Sequence, residues 1–184
     1  MRRTAPWLVI LAVLIVTAAG LHLQGRLWRC ACGELRLWAG RAWGPDTSQH
    51  LFDPYSLTHV LHGFVLAGLL AYVAPRAPAT WKLALAIGLE SLWEMVENSA
   101  FVIERYRATA ALGHTGDTIV NSLGDILACA LGVVLARALA LRRALVAFAL
   151  IEIVLLVWIK DSLLLNVTML IHAIPPIKAW QLGR

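Results

Sequence analysis

Charge is scarce in this chain. Asp, Glu, Lys and Arg together make up 15% of its 184 residues, where ordinary soluble domains carry about 25%. Apolar residues fill the space, at 60%, and the mean hydropathy is +0.73. That balance argues against a soluble domain and for a polytopic membrane protein of one domain. Cysteine is also scarce, with three in the chain. Cys30 and Cys32 form a CxC pair with no second pair beside it, so a zinc ribbon is excluded. A disulfide there stays open if the loop faces an oxidising compartment. Cys129 falls inside an apolar run and reads as packing. There is no Gly-rich phosphate loop, no GxSxG elbow and no His-Glu-x-x-His motif, so those nucleotide, hydrolase and zinc-protease signatures are missing. The net charge of +5 does not point to nucleic acid, because no basic face with interleaved aromatics exists. The basic residues sit in short connections between apolar runs, as topology signals do.

The apolar runs predict an all-α fold: a polytopic transmembrane helix bundle forming a single integral membrane domain over 1–184. About five spans are expected, over 6–23, 56–74, 81–103, 117–138 and 144–159, each close to the ~20 residues that cross a bilayer. The run after Asp161 is apolar for only about 13 residues before Pro175, which fits a re-entrant or interfacial segment. Residues 24–55 form a polar loop with Trp28, Trp38 and Trp43 spread through it, as expected of a loop along the membrane surface. Arg2, Arg3, Arg76, Lys82, Arg137, Arg142 and Arg143 fall in connections without acids. The positive-inside rule then places the amino terminus in the cytoplasm and the 24–55 loop outside. Gly124 and Gly132 are expected to allow close helix contact.

The acids that are present stand where acids are expensive. Glu90, Glu94 and Glu97, with Asn98 beside them, are spaced to share one helix face. Asp117, Asn121 and Asp125 are spaced in the same way, and His59 and His62 lie three apart. Charged groups in hydrocarbon cost roughly 2.5–3.5 kcal/mol each on insertion scales, so they face a bundle interior or a wet cavity. At about 1.5 Å per residue, His62, Glu94 and Asp125 come to roughly 9–13 Å from the outer end of their spans. Glu90 and Glu152 fall deeper, near the midplane. Depth therefore predicts one polar site in the outer half of the membrane. The simpler reading is a set of buried pairs, such as His62 with Glu94, that tie helices together.

The candidate catalytic residues are His59, His62, Glu90, Glu94, Glu97, Asp117, Asn121 and Asp125. His59, His62, Glu94 and Asp125 are the candidate ligands of a divalent metal ion, since imidazole and carboxylate together suit such a cation. Without metal, a His–carboxylate pair can act as a general base. Arg105, Arg107 and Asn98 are candidate substrate-binding residues, the two arginines as a clamp for an anionic headgroup.

The segments SQHLFDPYSLTHVLHGF, ESLWEMVENSAFVIERYR, GDTIVNSLGDILACALG and KDSLLLNVTMLIH resemble an uncharacterised bacterial family of multi-pass inner-membrane proteins, known as a domain of unknown function. The resemblance runs from Cys32 to Trp180 and implies a membrane location without an established activity. A shorter likeness is to the VanZ-like membrane proteins associated with glycopeptide-antibiotic resistance. It rests on His59 or His62, Glu90 or Glu94, and Asp117 with Asn121 and Gly124. The long CxC loop and Glu97-Asn98 depart from that pattern. The functional expectation is a membrane-embedded enzyme acting on a lipid or lipid-linked envelope substrate. A proton or ion pathway through Glu90 and Glu152 and a non-catalytic scaffold are the alternatives. The partners expected are the lipid bilayer and such a substrate.

Overall fold

The computed structural model describes residues 4–183. Its elements are α1 (Ala5–Leu23), α2 (Ser56–Val73), α3 (Ala79–Glu97), α4 (Ala100–Ala108), α5 (Ile119–Ala138), α6 (Leu141–Ile159), α7 (Leu163–Ile171) and α8 (Pro175–Leu182). Among the described residues there is no strand, and one isolated bridge joins Trp38 to Phe52. The all-α expectation is met. Three helices, α1, α2 and α5, are long and apolar enough to cross a membrane by length and composition. At 19 residues each, α3 and α6 are about as long but more charged. Lys82, Glu90, Glu94 and Glu97 fall in α3, and Arg142, Arg143 and Glu152 in α6.

The bundle carries apolar residues outside and polar ones inside. Leu8, Leu11, Ile15 and Val16 on α1, and Leu145, Leu150, Ile153 and Val157 on α6, are exposed. His59, Glu90, Glu94, Asn98, Asn121 and Asp125 are buried. That inversion suits a lipid environment.

Helices α2 and α5 cross in close contact, and glycine makes it. A Cβ on Gly63 would collide with the Cys129 carbonyl oxygen and stand 2.7 Å from the Val133 nitrogen. A Cβ on Gly132 would collide with the Val60 carbonyl oxygen. Gly132 thus plays the role expected of it, with Gly63 as its partner. Gly124 serves a different contact, because a Cβ there would meet the carbonyl of Leu51 in the loop rather than a helix.

Two helix boundaries differ from the sequence reading where a hydroxyl caps the helix, and the C-terminal segment is short as expected. The helix predicted to run to Ile103 stops at Glu97, and α4 starts afresh with the Ser99 hydroxyl accepting from the Val102 N–H at 3.4 Å. A capping serine competes well with a continuous helix, and the break turns the Asn98 side chain inward. The helix predicted from Asp117 begins at Ile119, because Thr118 is its cap, its hydroxyl accepting from the Asn121 N–H at 3.2 Å. Asp117 therefore lies outside the helix whose face it was expected to share. The apolar C-terminal segment is two short helices, and α7 at 9 residues is about 14 Å long, too short to span.

The 24–55 loop folds over the helix ends. Its Leu27 and Trp28 carbonyls accept from Ile119 N–H at 2.8 Å and Val120 N–H at 3.2 Å, satisfying donors that a helix start leaves unpaired. The Trp43 indole N–H donates to the Ile159 carbonyl at 2.8 Å, and His50 is fully buried. Cys30 and Cys32 are joined as a disulfide.

Candidate functional site

The site is built where α2, α3 and α5 meet under the loops. His59 and His62, one turn apart on α2, both turn to the same oxygen of α3. Glu90 Oε1 lies 2.6 Å from His59 Nδ1 and 2.8 Å from His62 Nδ1. The His59 ring also lies 3.4 Å from Glu94 Oε1 through Nδ1 and 3.8 Å from Asp125 Oδ2 through Nε2. Asp125 is fixed from the other side by the Ser56 hydroxyl, which donates to Oδ1 at 2.6 Å. Ser56 in turn accepts from the Asp53 N–H at 3.1 Å. The Asp53 carboxylate accepts from the N–H groups of Ser48 and Tyr55, each at 2.7 Å. Burial nevertheless pushes the Asp53 carboxyl above its ordinary value, because desolvation outweighs those two donors.

A cavity of about 690 Å³ opens onto this cluster, within the size range of small-molecule sites. His59, His62, Glu97, Asp117, Asp125 and Asp161 line it, while Glu90 and Glu94 stand behind its wall. No lysine or arginine lines it among the described residues. Its far side is closed by a polar chain. Tyr106 donates to Glu97 Oε1 at 2.7 Å and stands 3.2 Å from Asn166 Oδ1. Asn166 Nδ2 and Tyr55 Oη then reach Asp161 Oδ2 at 3.4 and 3.2 Å.

The structure brings together most of the predicted residues. His59, His62, Glu90, Glu94, Glu97 and Asp125 form one connected cluster. Asp117 joins it through Asn98. Asn121 is buried but turned to the loop, donating to the His50 carbonyl at 2.8 Å. The two arginines stand apart. Arg105 donates to the carbonyls of Leu170 and Ile171 at 2.7–3.1 Å, and Arg107 to that of His114 at 2.6 Å. Neither lines the cavity. The four predicted metal donors are regrouped. His62 shares a set with His59 and Glu90, Glu94 shares one with His59 and Glu97, and Asp125 enters neither. The reason is Glu90, whose single oxygen occupies both imidazoles. Ser56, Tyr106, Asn166 and Asp161 belong to the site although helix spacing does not predict them. Asp53 and Ser56 carry a visible signal, since Asp-Pro-x-Ser is a helix-start pattern.

The family model described as "Protein of unknown function (DUF2585)" matches residues 21–183. The chain belongs to this family. It is 43% identical over 177 residues to a UPF0314 protein of Brucella anthropi, covering 96% of this chain and 90% of the relative. A UPF0314 protein of Rhizobium meliloti is 41% identical, with 99% and 93% covered. One of Paracoccus denitrificans is 43% identical, with 98% and 94% covered. No solved structure matches the chain. The DUF2585 match spans every residue of the His–carboxylate cluster, so the site lies wholly inside the family region.

Proposed function

We propose that this protein is a multi-pass enzyme of the bacterial inner membrane, acting on a lipid or lipid-linked envelope substrate in the 690 Å³ cavity. In this reading α1, α2, α3, α5 and α6 are the five spans, the amino terminus is cytoplasmic and the cavity faces the outer leaflet. One observation carries the catalytic part. Both imidazoles line the cavity, and both hang on a carboxylate that does not. A buried carboxylate behind a histidine fixes the ring and stabilises its protonated form, which is what a general base needs. His62, partly exposed to the cavity with 19% of its side chain accessible, is placed to take the substrate proton. His59, Glu94, Glu97, Asp117 and Asp125 supply the acidic wall around it, and Asn98 and Asn121 hold that wall in place.

The wall also narrows the substrate. It offers acceptors and imidazoles without a fixed cation, so it suits a headgroup rich in hydroxyl or amino donors over a bare phosphate. Arg105 and Arg107 then act on the rim, by holding α7 and the 109–118 connection. The proton-path alternative loses a partner here. Glu152 accepts from the N–H groups of Leu163 and Leu164 at 2.9 and 3.3 Å, which gives it a structural task.

The test is conversion of total envelope lipid extract by the purified protein in proteoliposomes, read by mass spectrometry. Wild type should consume one lipid class, and His62→Ala and Glu90→Gln, folded to the same melting behaviour, should fall by at least about 100-fold. Equal conversion by folded variants, or none by wild type, would reject the reading.

A further inference from the structure

We infer that His59, Glu94 and Glu97 form a binding site for one divalent first-row transition-metal ion of the zinc or manganese class. The three residues present donor atoms that lie within 4.8 Å of one another. Their partners set them apart from the neighbouring His59–His62–Glu90 set, where Glu90 Oε1 is already engaged by both rings. Glu94 is fully buried and neither of its oxygens has a hydrogen-bond partner. Glu97 Oε2 has none either. A buried carboxylate without donors costs several kcal/mol unless a cation meets it.

Among the described residues, no lysine or arginine pairs with either carboxylate. Every ion pair in this cluster is to histidine. A proton on Glu94 would give the pair one donor against three unpartnered carboxylate oxygens, Glu94 Oε1 and Oε2 and Glu97 Oε2, and leave the remaining charge unmet. The one ring nitrogen near Glu94, His59 Nδ1 at 3.4 Å, lies 2.6 Å from Glu90. A divalent ion satisfies both orphaned carboxylates at once. The donor set is one imidazole and two carboxylates, intermediate between the nitrogen-rich sites of zinc and the oxygen sites of manganese. The other partners are already in place. Tyr106 holds Glu97 through Oε1 and leaves Oε2 free, and His59 turns Nδ1 toward both Glu94 and Glu90, so ion binding exchanges the Glu90 contact for the metal. Glu97 lines the cavity, so ion and water have a way in. The inference shares His59 with the proposed acid–base cluster but does not depend on turnover.

The experiment is equilibrium dialysis of the full-length protein in detergent, tag removed and chelator-stripped, against Zn²⁺ and separately Mn²⁺, with elemental analysis. Wild type should hold about one ion of at least one metal per chain. Glu94→Gln and Glu97→Gln should each lose at least about tenfold in affinity, and the exposed Glu104→Gln should not. Folding is checked by circular dichroism. If Glu94→Gln does not fold, Glu97→Gln decides alone, since a glutamine oxygen can still accept from Tyr106. Absence of both metals from wild type, or unchanged binding in the folded Glu97→Gln protein, overturns the inference. So does a loss confined to His62→Ala, which would move the ion to the other set. Lipid conversion by a protein that takes up neither metal in the dialysis would overturn the inference and leave the proposed function standing.

Discussion

Asn98 and Asp117 hold each other by two hydrogen bonds of opposite sense. The Asn98 amide nitrogen donates to Asp117 Oδ2 at 2.8 Å, and the Asp117 N–H donates to Asn98 Oδ1 at 2.7 Å. The pair ties the end of α3 to the approach of α5, closing the chain reversal that contains α4, and both residues are buried. Only an amide offers a donor and an acceptor side by side. Asn98→Ala should therefore cost about 1–3 kcal/mol, the usual penalty for a buried polar group left unmet. Asn98→Asp should cost more, by setting a second carboxylate against Asp117. Unfolding in detergent and denaturant, followed by tryptophan fluorescence, reads both. An Asn98→Asp protein as stable as wild type would show that the pair does not hold the reversal.

Gly63 and Gly132 make the second prediction. Each would drive a methyl group into the partner helix's backbone, and backbone cannot step aside as a side chain can. Gly63→Ala or Gly132→Ala should lower stability by about 1–3 kcal/mol. Gly68→Ala is the control. It lies on the same helix with nothing within 4 Å of its Cβ position, and it should be neutral or slightly stabilising. The three variants differ in one methyl group each, so unfolding midpoints can be compared directly. Equal midpoints for Gly63→Ala and Gly68→Ala would refute the close crossing.

What the sequence showed well was level along the helices, and what it hid was direction. His59, His62, Glu94 and Asp125 read as neighbours because helical rise converts position into height. Height cannot say which oxygen meets which ring, so the expected His62–Glu94 pair gave way to Glu90, which had been set deeper. The long reach of the Glu90 side chain covers the difference of one turn. Helix ends were misplaced where a single hydroxyl decides the matter, at Ser99 and Thr118. The expected anion clamp rests on two arginines near an interface, and nothing local shows that carbonyls of α7 and of the 109–118 connection lie within their reach. Asn166 and Asp161 are separated from Tyr106 and Tyr55 by tens of residues, and only tertiary folding reveals that chain of contacts.

The short helix α7 is held at both ends by residues from elsewhere, which gives the third prediction. Glu152 and the Ser162 hydroxyl meet its first N–H groups, and Arg105 meets its last carbonyls. A helix of 9 residues is marginal without such support. Arg105→Ala should speed amide exchange in Leu163–Ile171 by about tenfold, roughly 1.4 kcal/mol of lost local stability. Arg105→Lys should recover only part of it, because one ammonium cannot grip two carbonyls as a guanidinium fork does. Exchange in α7 that is indifferent to Arg105→Ala would reject the clamp.

Asp161 carries the pH dependence. It lies in the connection between α6 and α7, where burial pushes its carboxyl up to about 6, against the donors of Ser162, Asn166 and Tyr55. The folded state thus binds the Asp161 proton more tightly than the unfolded chain, whose carboxyl keeps its ordinary value of 3.8. Folding is favoured by this group below about pH 4 and loses that contribution as pH rises through about 6, in all roughly 3 kcal/mol. The slope is therefore downward between those two values. Asp161→Asn copies the neutral form and should remove it. Melting temperatures at pH 4.5, 6 and 7.5 would show wild type falling relative to Asp161→Asn across the series. A constant difference between the two proteins over that range would mean that Asp161 stays ionised in the fold, with its three donors outweighing its burial.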